Sequence, residues 1–243
     1  PYISLMKIFF IYISILLNIV YLKNLTIHDY DNPSASHILD TEIIDDILIV
    51  SGMIGGIEFY DISNPAVLNH LDNLSLSGAG GDGGGTKPNC IVAQGNYAYV
   101  TTNQGLGIIN ISNPSNPQYL GLVSGTNGYI LENLDVYENF LAVAAHEDGV
   151  LIYNISNPSN PEYIYTINGV NSWAVQITPI EHINYEFMIY VADQNSINTI
   201  AYMNYNGNHS FSPIDNIFLS DGLSTYKDIA FGEGLVYFAK GTD

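Results

Sequence analysis

Three observations predict an all-β chain built as a β-propeller of four-stranded antiparallel blades, about four blades plus a partial one. First, a short phrase occurs three times: Asp61-Ile62-Ser63-Asn64-Pro65, Asn110-Ile111-Ser112-Asn113-Pro114 and Asn154-Ile155-Ser156-Asn157-Pro158, its prolines 49 and then 44 residues apart. A fixed period of this size marks a repeat architecture. Second, each copy follows an apolar run (residues 57–60, 106–109 and 150–153) rich in side chains that fit a pleated, buried surface. Third, each unit holds about four such runs between Gly- or Asn-bearing turns, with no sustained helical period. One four-stranded sheet cannot cover both its faces, so neighbouring units must stack, as propeller blades do. A β-sandwich is the alternative, but it would not repeat one turn phrase at one place in every unit.

The phrase stops a strand for physical reasons. Proline lacks an N–H and cannot continue a ladder. It also drives the preceding residue out of the α region. Ser and Asn side chains bond nearby backbone and hold a turn. Two copies are extended by Ser115-Asn116-Pro117 and Ser159-Asn160-Pro161, each followed by a strand-like run, 118–123 or 162–167.

A chain of 243 residues can bury the core of one all-β domain. Charged residues make up 12 %, yet 5 Lys plus Arg stand against 24 Asp plus Glu, a net charge of −19. This argues against nucleic acid or an anionic membrane as a direct partner, because phosphate binding needs clustered Lys and Arg. The acidic balance reads as a solvated surface. The single cysteine, Cys90, can form no internal disulfide. It lies in the apolar run 90–93, where a thiol behaves as a small buried hydrophobe.

Taken in order, Met6 and Lys7 precede an uncharged apolar stretch, 8–22, closed by Lys23. A cation before a short apolar stretch is the layout of an export signal. The stretch is shorter than the ~20 residues that span a bilayer. Residues 1–24 are therefore expected to be a signal peptide or an N-terminal anchor, and 25–243 a repeat domain outside the cytoplasm: secreted, periplasmic or on the cell surface. A membrane is a partner only if the segment is uncleaved. Residues 25–33 read as a worn copy of the phrase.

The units run approximately 40–88, 89–132, 133–171, 172–224 and, partial, 225–243. In the first, Asp45-Asp46 turns a hairpin between 42–44 and 47–50, Gly55-Gly56 leads into 57–60, and 67–76 is a fourth run. The glycine-rich stretch 78–85 has no Lys-Ser/Thr in phosphate-loop register and reads as a loop insertion. The second and third units share one order: runs 90–93, 97–101 and 106–111, then 134–136, 140–144 and 150–155, each set ending in the phrase. In the fourth, 173–177 pairs with 188–192, 200–204 replaces the apolar run, and Tyr205-Asn206-Gly207-Asn208 replaces the phrase, with 217–219 as the expected fourth strand. The fifth is a hairpin of 226–231 and 235–239. Two endings fit: residues 25–27 pairing with 235–239 to close about five blades, or a truncated ring. Gly241-Thr242-Asp243 stands where other units turn into a next strand, which favours the second.

A strand closed by Asp or Asn and Ile-Ser-Asn-Pro, after a hairpin such as Gly95-Asn96-Tyr97-Ala98-Tyr99-Val100, resembles the LVIVD-repeat family. The namesake segments are 57–61, 106–110 and 150–154. The resemblance covers 40–165 well and 166–243 weakly. It implies a propeller-like secreted or surface protein of the kind found mostly in bacteria, and it carries over no catalytic residues.

The residues themselves nominate little chemistry. His146-Glu147-Asp148 is the most polar turn cluster, with ligand types for a metal, but Glu-Asp-Gly also simply makes a hairpin turn. Asp45-Asp46 is a turn with calcium-type oxygens. Trp173 reads as core. Asn73, Asn110, Asn154 and Asn208 begin glycosylation sequons, two of them inside the repeat phrase, where turn chemistry explains them. No catalytic, cofactor-binding or metal residue is assigned, and no cofactor is expected. The expected function is a non-enzymatic binding or adhesion scaffold with an extracellular protein or glycan as partner. The alternative is an enzyme of the central channel, such as a calcium-assisted lactonase or a glycan hydrolase.

Overall fold

A computed structural model of the chain describes residues 36–54, 56–76, 86–182, 184–194, 196–205, 208–218, 224–232 and 235–242. The expected export segment 1–24, the expected worn phrase 25–33 and the glycine-rich stretch 78–85 lie outside the described residues, as does the expected pairing of 25–27 with 235–239. The described residues form four four-stranded antiparallel sheets and one two-stranded sheet, each with its strands in chain order. Blade 1 is β1 (Ser36–Ile44), β2 (Ile47–Ile54), β3 (Gly56–Asp61) and β4 (Asn69–Leu74); blade 2 is β5 (Pro88–Gln94), β6 (Tyr97–Thr102), β7 (Gly105–Asn110) and β8 (Gln118–Leu122). Blade 3 is β9 (Leu134–Tyr137), β10 (Phe140–Ala144), β11 (Val150–Asn154) and β12 (Glu162–Ile167). Blade 4 is β13 (Ser172–Pro179), β14 (Phe187–Asp193), β15 (Ser196–Tyr205) and β16 (Asn208–Phe218), and the last hairpin is β17 (Ser224–Gly232) and β18 (Leu235–Thr242).

First strands neighbour one another in the order β1, β5, β9, β13, β17, so they line the axis and the later strands radiate outward. This is a propeller. Its core is a series of layers between blades rather than one centre. Ile49, Ile57 and Phe59 of blade 1 meet Ile91, Val100 and Ile109 of blade 2. Tyr99, Leu106 and Ile108 meet Leu141, Leu151 and Tyr153 of blade 3. Ala142, Val150 and Ile152 meet Val175, Ile189 and Tyr202 of blade 4. Middle strands are therefore covered on both faces, which is why their runs are continuously apolar rather than alternating.

The repeat phrase has one geometry in all three copies. The Oδ1 of Asp61, Asn110 or Asn154 accepts the N–H of Ser63, Ser112 or Ser156 at 2.8, 2.9 and 2.8 Å. The phrase isoleucine donates its N–H to the first hairpin turn of its own blade: Ile62 to Asp46, Ile111 to Asn96 and Ile155 to Asn139, at 2.8–2.9 Å. A second tight turn closes on the carbonyls of Asn64, Asn113 and Asn157. Ile111 and Ile155 are buried. A glycine opens the third strand of blades 1 to 3, and it is required twice over. Gly149 has φ +82°, and a Cβ there would lie 2.1 Å from the Ile167 carbonyl oxygen; at Gly56, φ +99°, it would lie 2.3 Å from that of Leu74.

Blade 4 departs from the pattern. With no Ser-Asn-Pro phrase after it, β15 pairs with β16 from Tyr205↔Asn208 to Ser196↔Phe218, and Pro213 is taken up beside the irregularity between Thr199 and Ile200. Residues 217–218 of the expected fourth strand at 217–219 are thus the far end of a strand that starts at Asn208, and 219 lies outside the described residues. Asn206-Gly207, between the two strands and outside the described residues, is in sequence a two-residue hairpin signal.

Candidate functional site

Strand direction sorts the two ends of the propeller. The first hairpin turn and the phrase share one end, because they are hydrogen-bonded to each other. The starts of the inner strands and the second-to-third-strand turns lie at the other end, called here the mouth.

Every inner strand is irregular at the mouth. Pairing shifts between Ile38 and Asp40 in β1, Pro88 and Ile91 in β5, Ser172 and Ala174 in β13, and Tyr226 and Asp228 in β17. Just before β9, Glu132 donates its N–H to the Ala144 carbonyl, whose own N–H donates to Asn133, so two residues again oppose one. A bulge of this kind re-aims a side chain. Leu39, Asn89, Glu132 and Trp173, at the bulges of blades 1 to 4, line an axial cavity of about 310 Å³, together with Asp40, Cys90, Asn133 and Asp228.

Acceptors on one inner strand hold the backbone of the next. Asp40 Oδ2 accepts the Ile91 N–H at 2.9 Å, and Glu42 Oε1 accepts the Ala93 N–H at 3.2 Å. Two blades on, Asn133 Oδ1 accepts the Val175 N–H at 3.0 Å, and Asp135 Oδ2 accepts the Ile177 N–H at 2.6 Å and the Gln176 amide at 2.9 Å. Burial nevertheless pushes the Asp135 carboxyl up to about 6, against those bonds. Burial, reinforced by the Asp40 and Asp135 charges, raises Glu42 as well. The Cys90 thiol donates to Asp40 Oδ2 at 2.8 Å. Burial first, then the Asp40 charge, holds it well above the usual thiol range, so it is a poor nucleophile.

The His146-Glu147-Asp148 turn is split by the fold. Glu147 and Asp148 are exposed. His146, at φ +49°, turns back to the mouth, its Nε2 2.6 Å from Glu132 Oε1 and its ring edge-on to Trp173 at 4.3 Å. Its main chain bridges Ser172, tying blade 3 to blade 4. Trp173, read from the sequence as core, is half-buried at the mouth. Asp45 and Asp46 are exposed at the opposite end. Among the described residues no group of three or more His, Cys, Asp or Glu is placed to hold a metal ion. The sequon residues Asn110 and Asn154 are engaged in phrase turns, and Asn73 donates to the buried Glu58.

Sequence reasoning missed the groove beside the mouth. It has a volume of about 460 Å³ and shares Leu39, Asn89 and Glu132 with the axial cavity. The end of β2, the start of β5 and the connection into β9 enclose it. Three of its large apolar side chains are open to solvent: Leu39 at 43 %, Met53 at 39 % and Ile130 at 65 %. Lys87 and Asn103 stand in the same wall, the Lys87 N–H donating to Asn103 Oδ1 at 2.7 Å.

The LVIVD repeat matches at residues 87–124 and 131–168, which are blades 2 and 3. Blades 2 and 3 thus carry LVIVD repeats, and the described residues as a whole form a β-propeller. No curated protein matches it in sequence. Among solved structures it is similar to the computationally designed Ika8 protein, at 14 % identity and TM-score 0.55 over 86 % of this chain and 57 % of that one. It is similar to a Bacteroides uniformis protein described as a 6-phosphogluconolactonase, at 12 % identity and TM-score 0.56 over 83 % of this chain and 70 % of that one. It also resembles the extracellular domain of a one-component system protein from B. thetaiotaomicron, at 14 % identity and TM-score 0.56 over 87 % of this chain and 26 % of that one. At these identities the likeness is one of fold.

Proposed function

We propose that this propeller is a non-enzymatic binding scaffold outside the cytoplasm, and that it engages an extracellular protein or glycan with its mouth. The observation that carries the reading is the exposed apolar set Leu39, Met53 and Ile130 around a 460 Å³ groove. Apolar surface gathered in a concavity is a recognition feature. The axial polar groups support the same reading, because Asp40, Glu42, Asn133 and Asp135 are engaged in holding the next blade's backbone. Lys7 followed by the apolar stretch 8–22 supports export. The purified chain is to be screened on panels of extracellular proteins and glycans, and incubated with 6-phosphogluconolactone. Saturable binding with the lactone left intact is expected. Hydrolysis of the lactone above the uncatalysed rate would replace the scaffold with the enzyme reading. A reporter fused after Asn32 should appear outside the cytoplasm, and cytoplasmic retention would remove the export proposal.

A further inference from the structure

We infer that the groove and the axial cavity together take an extended peptide segment in which one Lys or Arg is flanked by apolar residues. This rests on the scaffold reading above and names its ligand. The groove's most exposed apolar side chains, Leu39, Met53 and Ile130, are not aromatic, and its one aromatic, Tyr129, is half-buried, so the lining matches aliphatic side chains better than sugar faces. Its volume lies in the ~300–1,000 Å³ range of ligand pockets.

Charge complementarity sets the sign and the register of the segment. The chain carries −19, and such a field draws in cationic partners. Locally, the exposed Asp228 carboxylate stands in the axial cavity with the indole of Trp173, and Asp40, although its Oδ2 holds Ile91 and Cys90, adds its negative charge to the same cavity. Carboxylates beside an aromatic face suit an ammonium or guanidinium group. The exposed Lys87 in the groove wall has the opposite effect. It repels a second cation and directs the single one to the axis. Asn89 donates its amide NH₂ to Glu132, which leaves its carbonyl oxygen to accept from a peptide N–H. Asn103 uses its carbonyl oxygen on Lys87, which leaves its NH₂ to donate to a peptide carbonyl.

The chain's single tryptophan, Trp173, lies at the mouth and reports directly on occupancy. Three capped five-residue peptides are to be titrated against the full chain while Trp173 fluorescence is followed. Their cores are leucine-lysine-leucine, leucine-glutamate-leucine and serine-lysine-serine. The first should saturate at a dissociation constant at least about tenfold below the other two. Ile130→Ser should weaken the first peptide at least about fivefold and leave the serine-flanked one unchanged, whereas Asp228→Asn should erase the preference for lysine over glutamate. Both positions are exposed, and unchanged urea midpoints will verify that the variants fold. Equal binding of all three peptides, or no saturation up to about 1 mM, overturns the inference. If panel ligands, glycans included, still bind in an Ile130-dependent way while the peptides do not, this inference fails and the scaffold reading stands. If neither peptides nor panel ligands bind, both fail.

Discussion

The two ends of this propeller are written in different ways. At the phrase end, blades 1, 2 and 3 repeat one hydrogen-bond pattern almost atom for atom. The cavity found there, about 360 Å³ beside Asn154, Asn157 and Asn160, is walled by the phrase itself. At the mouth, the backbone irregularity repeats but the side chain does not: the bulge positions hold Leu39, Asn89, Glu132 and Trp173. A segment that only has to end a strand and turn has few chemical solutions, so it repeats. A segment that repeats its backbone while varying its side chains has been released from a purely folding role. Under the proposed function, the difference separates a folding end from a recognition end.

The largest expected effect is at Gly149, a mouth residue that serves folding. Its Cβ would meet the Ile167 carbonyl oxygen at 2.1 Å, and its φ is +82°. Gly149→Ala should cost about 4 kcal/mol in urea unfolding. Gly95→Ala, with φ +58° but open space around it, should cost only about 1 kcal/mol. Equal midpoints for the two would mean that blade 3 relaxes freely around its third strand.

Next comes Ile155, buried between blades by the phrase turn. Ile155→Ala should cost about 3 kcal/mol, measured the same way. A loss under about 1 kcal/mol would remove the phrase isoleucine from the core.

The axis supplies a pH effect of unusual sign. The folded-state Asp135 carboxyl lies at about 6, above the unfolded value near 3.8. The native chain therefore binds more protons in that window than the unfolded chain does. The contribution of Asp135 to stability should be fully present below about pH 4 and fall by about 2 kcal/mol as pH rises to 6. Asp135→Asn keeps a carbonyl oxygen for the Ile177 N–H and should flatten this slope. Some slope will remain, because Glu42 is raised in the same direction. A wild-type slope of opposite sign between pH 4 and 6 would refute the assignment.

The smallest effect is expected at the most conspicuous residue of the repeat. Pro158→Ala should cost at most about 1 kcal/mol, because the Asn154 and Asn157 turns persist without it. A larger loss would make the proline, rather than Asn and Ile, the keystone of the phrase.

How much of this was legible follows the same division. The phrase, the turn glycines and the apolar runs act locally, through φ, a missing N–H and a pleated surface, so the blades and their period were readable. The fourth strand of blade 4 was read too short, at 217–219, because no Ser-Asn-Pro follows β15 to mark where the ladder turns, and the strand already starts at Asn208. The bulges left no local signal. Leu39, Asn89, Glu132 and Trp173 share no residue type, and only the stacking of blades brings them to one cavity. His146 was singled out for its neighbours Glu147 and Asp148, yet its partners are Glu132 and Trp173, distant in sequence.

The division of ends is tested most directly by placing one new charge at each. Wild type, Ile130→Asp at the mouth and Asn157→Asp in the phrase are to be compared on the same panel of extracellular proteins and glycans. Both positions are exposed, so stability should change by no more than about 0.5 kcal/mol in either variant. Ile130→Asp should weaken binding by about tenfold or more, and Asn157→Asp by less than about twofold. Equal loss in both variants, or loss confined to Asn157→Asp, would contradict the assignment of recognition to the mouth.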